Sequence, residues 1–253
     1  MPGGEAVWLG VFLAGFAWLT WLDALNLRAL AGSGRYPPPD LASTYSVETL
    51  TGMRNYGRAK LRFHMLVRAW WSAGVAAFVF GGGVRRIDAW AADTADGGLM
   101  AGTVFAAAVV LMMRLYTLPV EAAFHFGLES RFGFSRLTWT RWLRDWLLGS
   151  VLALALVSVL VPAALAIVAA WPGGWWLGLW GLLQAAILAL TFASPYLIEP
   201  LFHRFRPLGD HALAARIRRM LDAAGLKVDR VLVMDASRRT RHSNAYFTGF
   251  GAS

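Results

Sequence analysis

Long apolar runs separated by short basic stretches set the pattern of this chain. A helix needs about 20 predominantly apolar residues to cross the hydrocarbon core of a bilayer. Five stretches approach or exceed that length: Ala6–Leu22, Leu61–Gly81, Leu99–Leu118, Trp146–Trp171 and Trp175–Ile198. A helix satisfies every backbone N–H and C=O within itself, which hydrocarbon demands. The pattern therefore predicts five transmembrane helices. Pro172, Gly173 and Gly174 separate the last two and predict a tight antiparallel hairpin, and Gly81–Gly82–Gly83 marks the exit of the second. The first run lacks a basic flank and a small-residue cleavage site, so a span is expected rather than a signal peptide.

Beyond Ile198 the pattern changes. No apolar run between Pro207 and Ser253 is long enough to span. Asp210 is a candidate N-cap, Leu213, Ile217, Met220 and Leu221 share a helical face, and Gly225 suits the helix end. Val231–Met234 reads as a short buried strand and Tyr246–Phe247 as a second. The expected fold class is thus an all-α membrane protein. Residues 1–206 form a five-helix transmembrane domain, and 207–253 form a small cytoplasmic α+β piece with one amphipathic helix and two short strands.

Composition agrees: 57% of the 253 residues are hydrophobic and only 15% charged, against about 25% charged in ordinary soluble domains. With no Cys, disulfides, thiolate zinc sites and a Cys nucleophile are excluded. The net charge of +9 is explained by where the cations lie. Twenty-one Lys and Arg fall on the side of the loops after spans one, three and five, and only Arg85 and Arg86 on the other. That bias places the N-terminus outside and the C-terminal segment in the cytoplasm, with the chain integral to the cell membrane. The lipid bilayer is then the expected partner of the basic residues, and nucleic acid is not.

Candidate chemistry is sparse. No His pair is spaced by four, so the His-Glu-x-x-His zinc motif is absent, as are a Gly-x-Ser-x-Gly elbow and a P-loop. Glu121, His125 and Glu129 would share one helical face. Such a row could hold a metal or relay protons, or it could be a hydrogen-bonded, half-solvated surface. Asp23, Asp145 and Glu199 read as charges at helix boundaries. Arg68, inside the second span, either snorkels to the interface or faces a watery interior.

Several motifs resemble the type I CAAX prenyl proteases, integral-membrane zinc metallopeptidases of the gluzincin kind. Tyr56–Phe63, Leu118–Pro119, Leu128–Glu129 and Arg131–Phe134 resemble the family's early elements. Asp145 falls where its fourth helix begins, and Pro195–Phe202 with Phe205–Leu208 resembles the exit from its fifth. Ser237-Arg-Arg and His242-Ser-Asn-Ala-Tyr-Phe complete the match. The resemblance implies membrane helices around a hydrated chamber and proteolysis of prenylated CAAX peptides or membrane-protein substrates. It also implies that Asn244, Ala245 and Tyr246 bind the substrate backbone, as an edge strand with free N–H and C=O groups can. Glu121 and His125 depart from the family, which has small or uncharged residues there. In the family, the zinc-ligand helix lies beyond the region where this chain stops. The expectation is therefore an N-terminal portion missing its C-terminal catalytic segment, with no catalytic residue and no bound zinc, and inactive alone. The alternative is a catalytically dead membrane protein that binds lipidated or hydrophobic peptides; a small transporter using the Glu121–His125–Glu129 face is a third reading.

Overall fold

A computed structural model describes residues 2–32, 45–226, 228, 230–242 and 245–246. It divides into two compact units, Met1–Phe132 and Gly133–Ser253.

The first unit holds helices α1 (Pro2–Gly32), α2 (Val47–Phe80), α3 (Gly83–Thr94) and α4 (Gly98–Ala122). The last continues as a π-helical segment, Ala123–Glu129. Helix α2 starts where Ser46 accepts a hydrogen bond from the Thr49 amide at 3.1 Å, a side-chain N-cap. Its 34 residues rise about 50 Å, more than the hydrocarbon needs, so its polar first turns extend beyond the apolar span. Helices α1 and α2 pack together, with the Phe12 and Phe80 rings 6.4 Å apart. Trp70 of α2 stacks on Tyr116 of α4 at 4.8 Å, and each donates to the other's backbone carbonyl.

Asp23 is not a boundary. It sits within α1 and pairs with Arg68 of α2 at 2.8 Å. The pair explains how α1 runs past the predicted end at Leu22: each charge supplies the other's counter-ion across the helix contact. Snorkelling is not what the Arg68 side chain does. Helix α3 was not expected from the pattern either. Its apolar positions are few, and Ala91 is its buried residue.

The second unit begins its helices with α5 (Trp139–Ala170) and α6 (Trp175–Ala193), which continues through a π-helical turn (Ser194–Ile198) into α7 (Glu199–Phe202). The α5–α6 hairpin is as tight as predicted. A Cβ on Gly178 would come within 2.4 Å of Ile167, so this contact accepts no side chain there. Strand β1 (Phe205–Pro207), helix α8 (His211–Ala223) and strand β2 (Leu232–Met234) follow, then a single 3₁₀ turn at Ala236–Arg238.

Asp210 caps α8 by accepting from the Leu213 amide at 2.9 Å, and Gly225 takes φ +76° just past its end, both as expected. The inward face differs from the prediction. Ala214 is buried with Ile217 and Leu221 beside it, while Leu213 and Met220 are exposed. Spacing alone did not distinguish two adjacent stripes. Strand β2 pairs antiparallel with β1, Phe205 opposite Met234 and Pro207 opposite Leu232. The second strand is thus Phe205–Pro207; Tyr246 lies in irregular backbone, and Phe247 lies outside the described residues. Leu232 and Val233 are also exposed rather than buried, because a sheet of two strands leaves faces uncovered.

Across both units, five helices are long and apolar enough to cross a membrane: Ala6–Ala31, Val47–Phe80, Gly98–Glu129, Trp139–Ala170 and Trp175–Phe202. Their large apolar side chains point outward, Trp8 (70% exposed) and Val159 (66%) among them, as lipid-facing residues must. The chain is an integral membrane protein.

Candidate functional site

Glu121, His125 and Glu129 lie where α4 passes into π-helix, with both carboxylates close enough to act electrostatically on the His125 ring. Pro119 removes a backbone donor from α4, and from Ala123 the winding loosens to π-helix. Each side chain also has a partner outside the row. Glu121 lies 3.9 Å from Arg114, and the His125 ring packs edge-on to Phe124. Glu129, 5% exposed, accepts a 2.5 Å hydrogen bond from the Tyr56 hydroxyl. Tyr56 also meets Phe132 edge-on at 5.2 Å. Among the described residues, no group of three or more His, Asp or Glu gathers to hold a metal ion. The donor set that zinc requires is therefore not assembled by these residues.

In the second unit, motifs far apart in sequence meet around Arg239. Its guanidinium grips Asp145, at the start of α5, with contacts of 2.8–3.0 Å to both carboxylate oxygens. It also donates to the Phe202 carbonyl and reaches His203 Nδ1 at 2.9 Å. A rigid planar fork can satisfy these partners at once; a lysine could not. Backbone bonds fix the same loop on its other side. The Arg136 amide donates to the Arg239 carbonyl and the Arg241 amide to the Phe134 carbonyl, both at 2.9 Å. Phe134 stacks on His242 at 4.3 Å. Asp235 adds a further tie, accepting from the Arg204 amide at 2.9 Å.

The electrostatics follow from this packing. Burial first, and then the Arg239 guanidinium, lower the pKa of His203 below its ordinary 6.5, against the opposing pull of Asp235, Asp145 and Glu199. A neutral His203 can accept from Arg239.

Of the predicted substrate-binding residues, Asn244 lies outside the described residues. Ala245 and Tyr246 are exposed and in irregular backbone. The Tyr246 hydroxyl donates to Glu199 Oε2 at 2.8 Å. Although half the residue is exposed, desolvation of the phenol and then the hydrogen bond and charge of Glu199 raise its pKa above 10. Glu199 and Asp145, charges near helix starts as expected, are thus also anchors for the basic loop. Sequence reasoning quoted these residues as motifs but missed the pairing. The one available signal was a lone carboxylate at each of two helix ends, facing a chain with ten cations after the last span. Chemically the arrangement positions an exposed backbone segment.

Comparison with known proteins gives this geometry a family. Residues 26–204 match the family model described as "CAAX prenyl protease N-terminal, five membrane helices". CAAX prenyl protease 1 of Saccharomyces cerevisiae is 32% identical over 223 residues, covering 84% of this chain and 49% of that protein. A homologue from Oryza sativa is 28% identical, covering 99% of this chain and 60% of that protein. The crystal structure of S. mikatae Ste24p superposes with a TM-score of 0.86 at 28% identity, over 94% of this chain and 56% of that one. The chain therefore spans about half the length of the curated relatives it matches. On a family-model match over residues 26–204, well over half of its length, this chain belongs to the type I CAAX prenyl protease family.

Proposed function

We propose that these residues form the membrane-embedded part of a zinc metalloendopeptidase of this family, with residues 1–206 supplying the spans and 207–253 opening the cytoplasmic peptidase domain. The N-terminus faces outward and the Arg239 loop faces the cytoplasm, a reading supported by the distribution of basic residues. Asn244, Ala245 and Tyr246 bind the extended backbone of a substrate, either a prenylated CAAX peptide or a membrane protein. The observation that carries this reading is the Arg239 clasp. It ties the 239–242 segment to the start of α5 and the exit of α7, and so delivers Ala245 and Tyr246, exposed, to the end of the last span. Both residues are exposed to solvent, as a segment that engages an extended peptide must be.

The 253 residues contain no His-Glu-x-x-His, so they bind substrate without cleaving it. Fluorescence anisotropy with a farnesylated CAAX peptide and the detergent-purified chain tests both parts. Saturable binding that Asn244→Ala weakens about tenfold, roughly one hydrogen-bonded contact, is the expected result. Absence of binding, or an Asn244→Ala variant that binds equally well, contradicts the site. Zinc-dependent cleavage of the peptide contradicts the assignment of a non-cleaving portion.

A further inference from the structure

The second unit carries two adjoining cavities that the peptide reading does not use. One is an apolar groove of about 740 Å³ along the first turns of α5, lined by Trp139, Leu143, Leu147 and Val151. The other is a polar pocket of about 320 Å³ formed by Arg141, Arg144, Arg204 and Arg239 with His203 and Asp235. Arg144 and Leu201 line both, so the cavities adjoin.

Charge decides what such a shape accepts. The Arg239 cation is answered by Asp145. Among the described residues, no carboxylate lies within ion-pair distance of the Arg144 or Arg204 guanidinium, and each borders the polar pocket. Guanidiniums gathered around one small volume repel one another, and an anion placed between them relieves that repulsion. The groove continues from Arg144 along one stripe of α5, since Leu147 and Val151 follow it at spacings of three and seven. Leu147 and Val151 are 51% and 62% exposed. Trp139 stands at the mouth, 59% exposed, where interfacial tryptophans belong.

We propose that this paired cavity is a binding site for an anionic phospholipid, its phosphate held by Arg144 and Arg204 and one acyl chain lying in the groove over Leu147 and Val151. Basic pockets at the ends of membrane helices take lipid head groups by the same chemistry. The site is independent of peptide binding at residues 244–246 and of any proteolysis.

Native mass spectrometry of the detergent-purified full chain tests it, with phosphatidylglycerol, phosphatidylcholine and inorganic phosphate as probes. One phosphatidylglycerol is expected to be retained at least tenfold more tightly than phosphatidylcholine. The double variant Arg144→Ala/Arg204→Ala should lower that affinity roughly a hundredfold, about tenfold per charge-assisted contact. Arg144→Lys/Arg204→Lys should keep most of it. Equal retention of the two lipids, or an alanine variant that binds as well as the parent, overturns the proposal. Inorganic phosphate binding as tightly as the lipid overturns it in favour of a free-anion site. A farnesylated peptide with a free carboxylate that displaces the lipid at lower concentration overturns it in favour of a peptide terminus. Should the alanine variant melt early, salt decides on the unaltered chain: the preference for phosphatidylglycerol should shrink at high ionic strength, and a salt-independent preference contradicts the arginine pocket.

Discussion

The two units each contain a proline-associated π-helical segment that ends beside a glutamate, and each glutamate accepts from a tyrosine hydroxyl. In the first unit the bond joins Glu129 to Tyr56 at 2.5 Å, with the carboxylate only 5% exposed. In the second it joins Glu199 to Tyr246 at 2.8 Å, with the tyrosine 53% exposed. The chemistry is the same and the surroundings are not. A buried carboxylate that loses its donor bears the full desolvation penalty, whereas an exposed pair exchanges with water at little expense. The first bond therefore fastens α2 to the end of α4, and the second holds the segment proposed to engage a peptide.

Breaking the buried member should have the largest effect. Glu129→Ala removes a buried carboxylate, strands the Tyr56 hydroxyl and should destabilise the protein by about 3 kcal/mol, read from thermal unfolding in detergent. An unchanged melt would show that the bond fastens nothing. Next comes the clasp that shapes the second unit. Arg239→Ala should cost about 2 kcal/mol and open residues 230–246 to limited proteolysis, whereas Arg239→Lys should lose about half as much, keeping the charge without the fork. Equal effects of the two substitutions would mean that the charge contributes nothing there, and a lysine variant as stable as the parent would mean that charge alone matters.

A smaller effect is expected from pH. Folding lowers the pKa of His203 below 6.5, so the unfolded chain takes up the proton first as pH falls. Its contribution to stability is complete above about 6.5 and fades below that value. His203→Gln should flatten this part of the stability profile between neutral and mildly acidic pH; a variant with the parent's slope would place the titration elsewhere. The least effect on stability should come from Tyr246→Phe, within about 0.5 kcal/mol, yet the same change should weaken farnesyl-peptide binding. A large loss of stability without a change in affinity would reverse the roles assigned to the two tyrosines.

Much of this architecture is written in local pattern. Apolar length located the five spans, and Asp210 and Gly225 marked the ends of α8 because caps depend on neighbouring residues alone. The departures are all tertiary. Asp23 sits mid-helix because Arg68 on another helix neutralises it. Glu121, His125 and Glu129 each take a partner outside their row, Arg114, Phe124 and Tyr56. The partner of β2 comes from Phe205–Pro207, across an intervening helix. The Arg239 clasp joins residues 94 positions apart, and only the fold brings Asp145 to it.

The central claim is that residues 244–246 meet the substrate. Because the chain has no cysteine, Ala245→Cys provides a single attachment point for a benzophenone maleimide. Irradiation with a farnesylated CAAX peptide should yield a covalent adduct that excess unlabelled peptide suppresses, while the same probe at Gly4→Cys on α1 yields none. Equal adducts at the two positions, or an adduct at residue 245 that unlabelled peptide leaves untouched, would contradict the account.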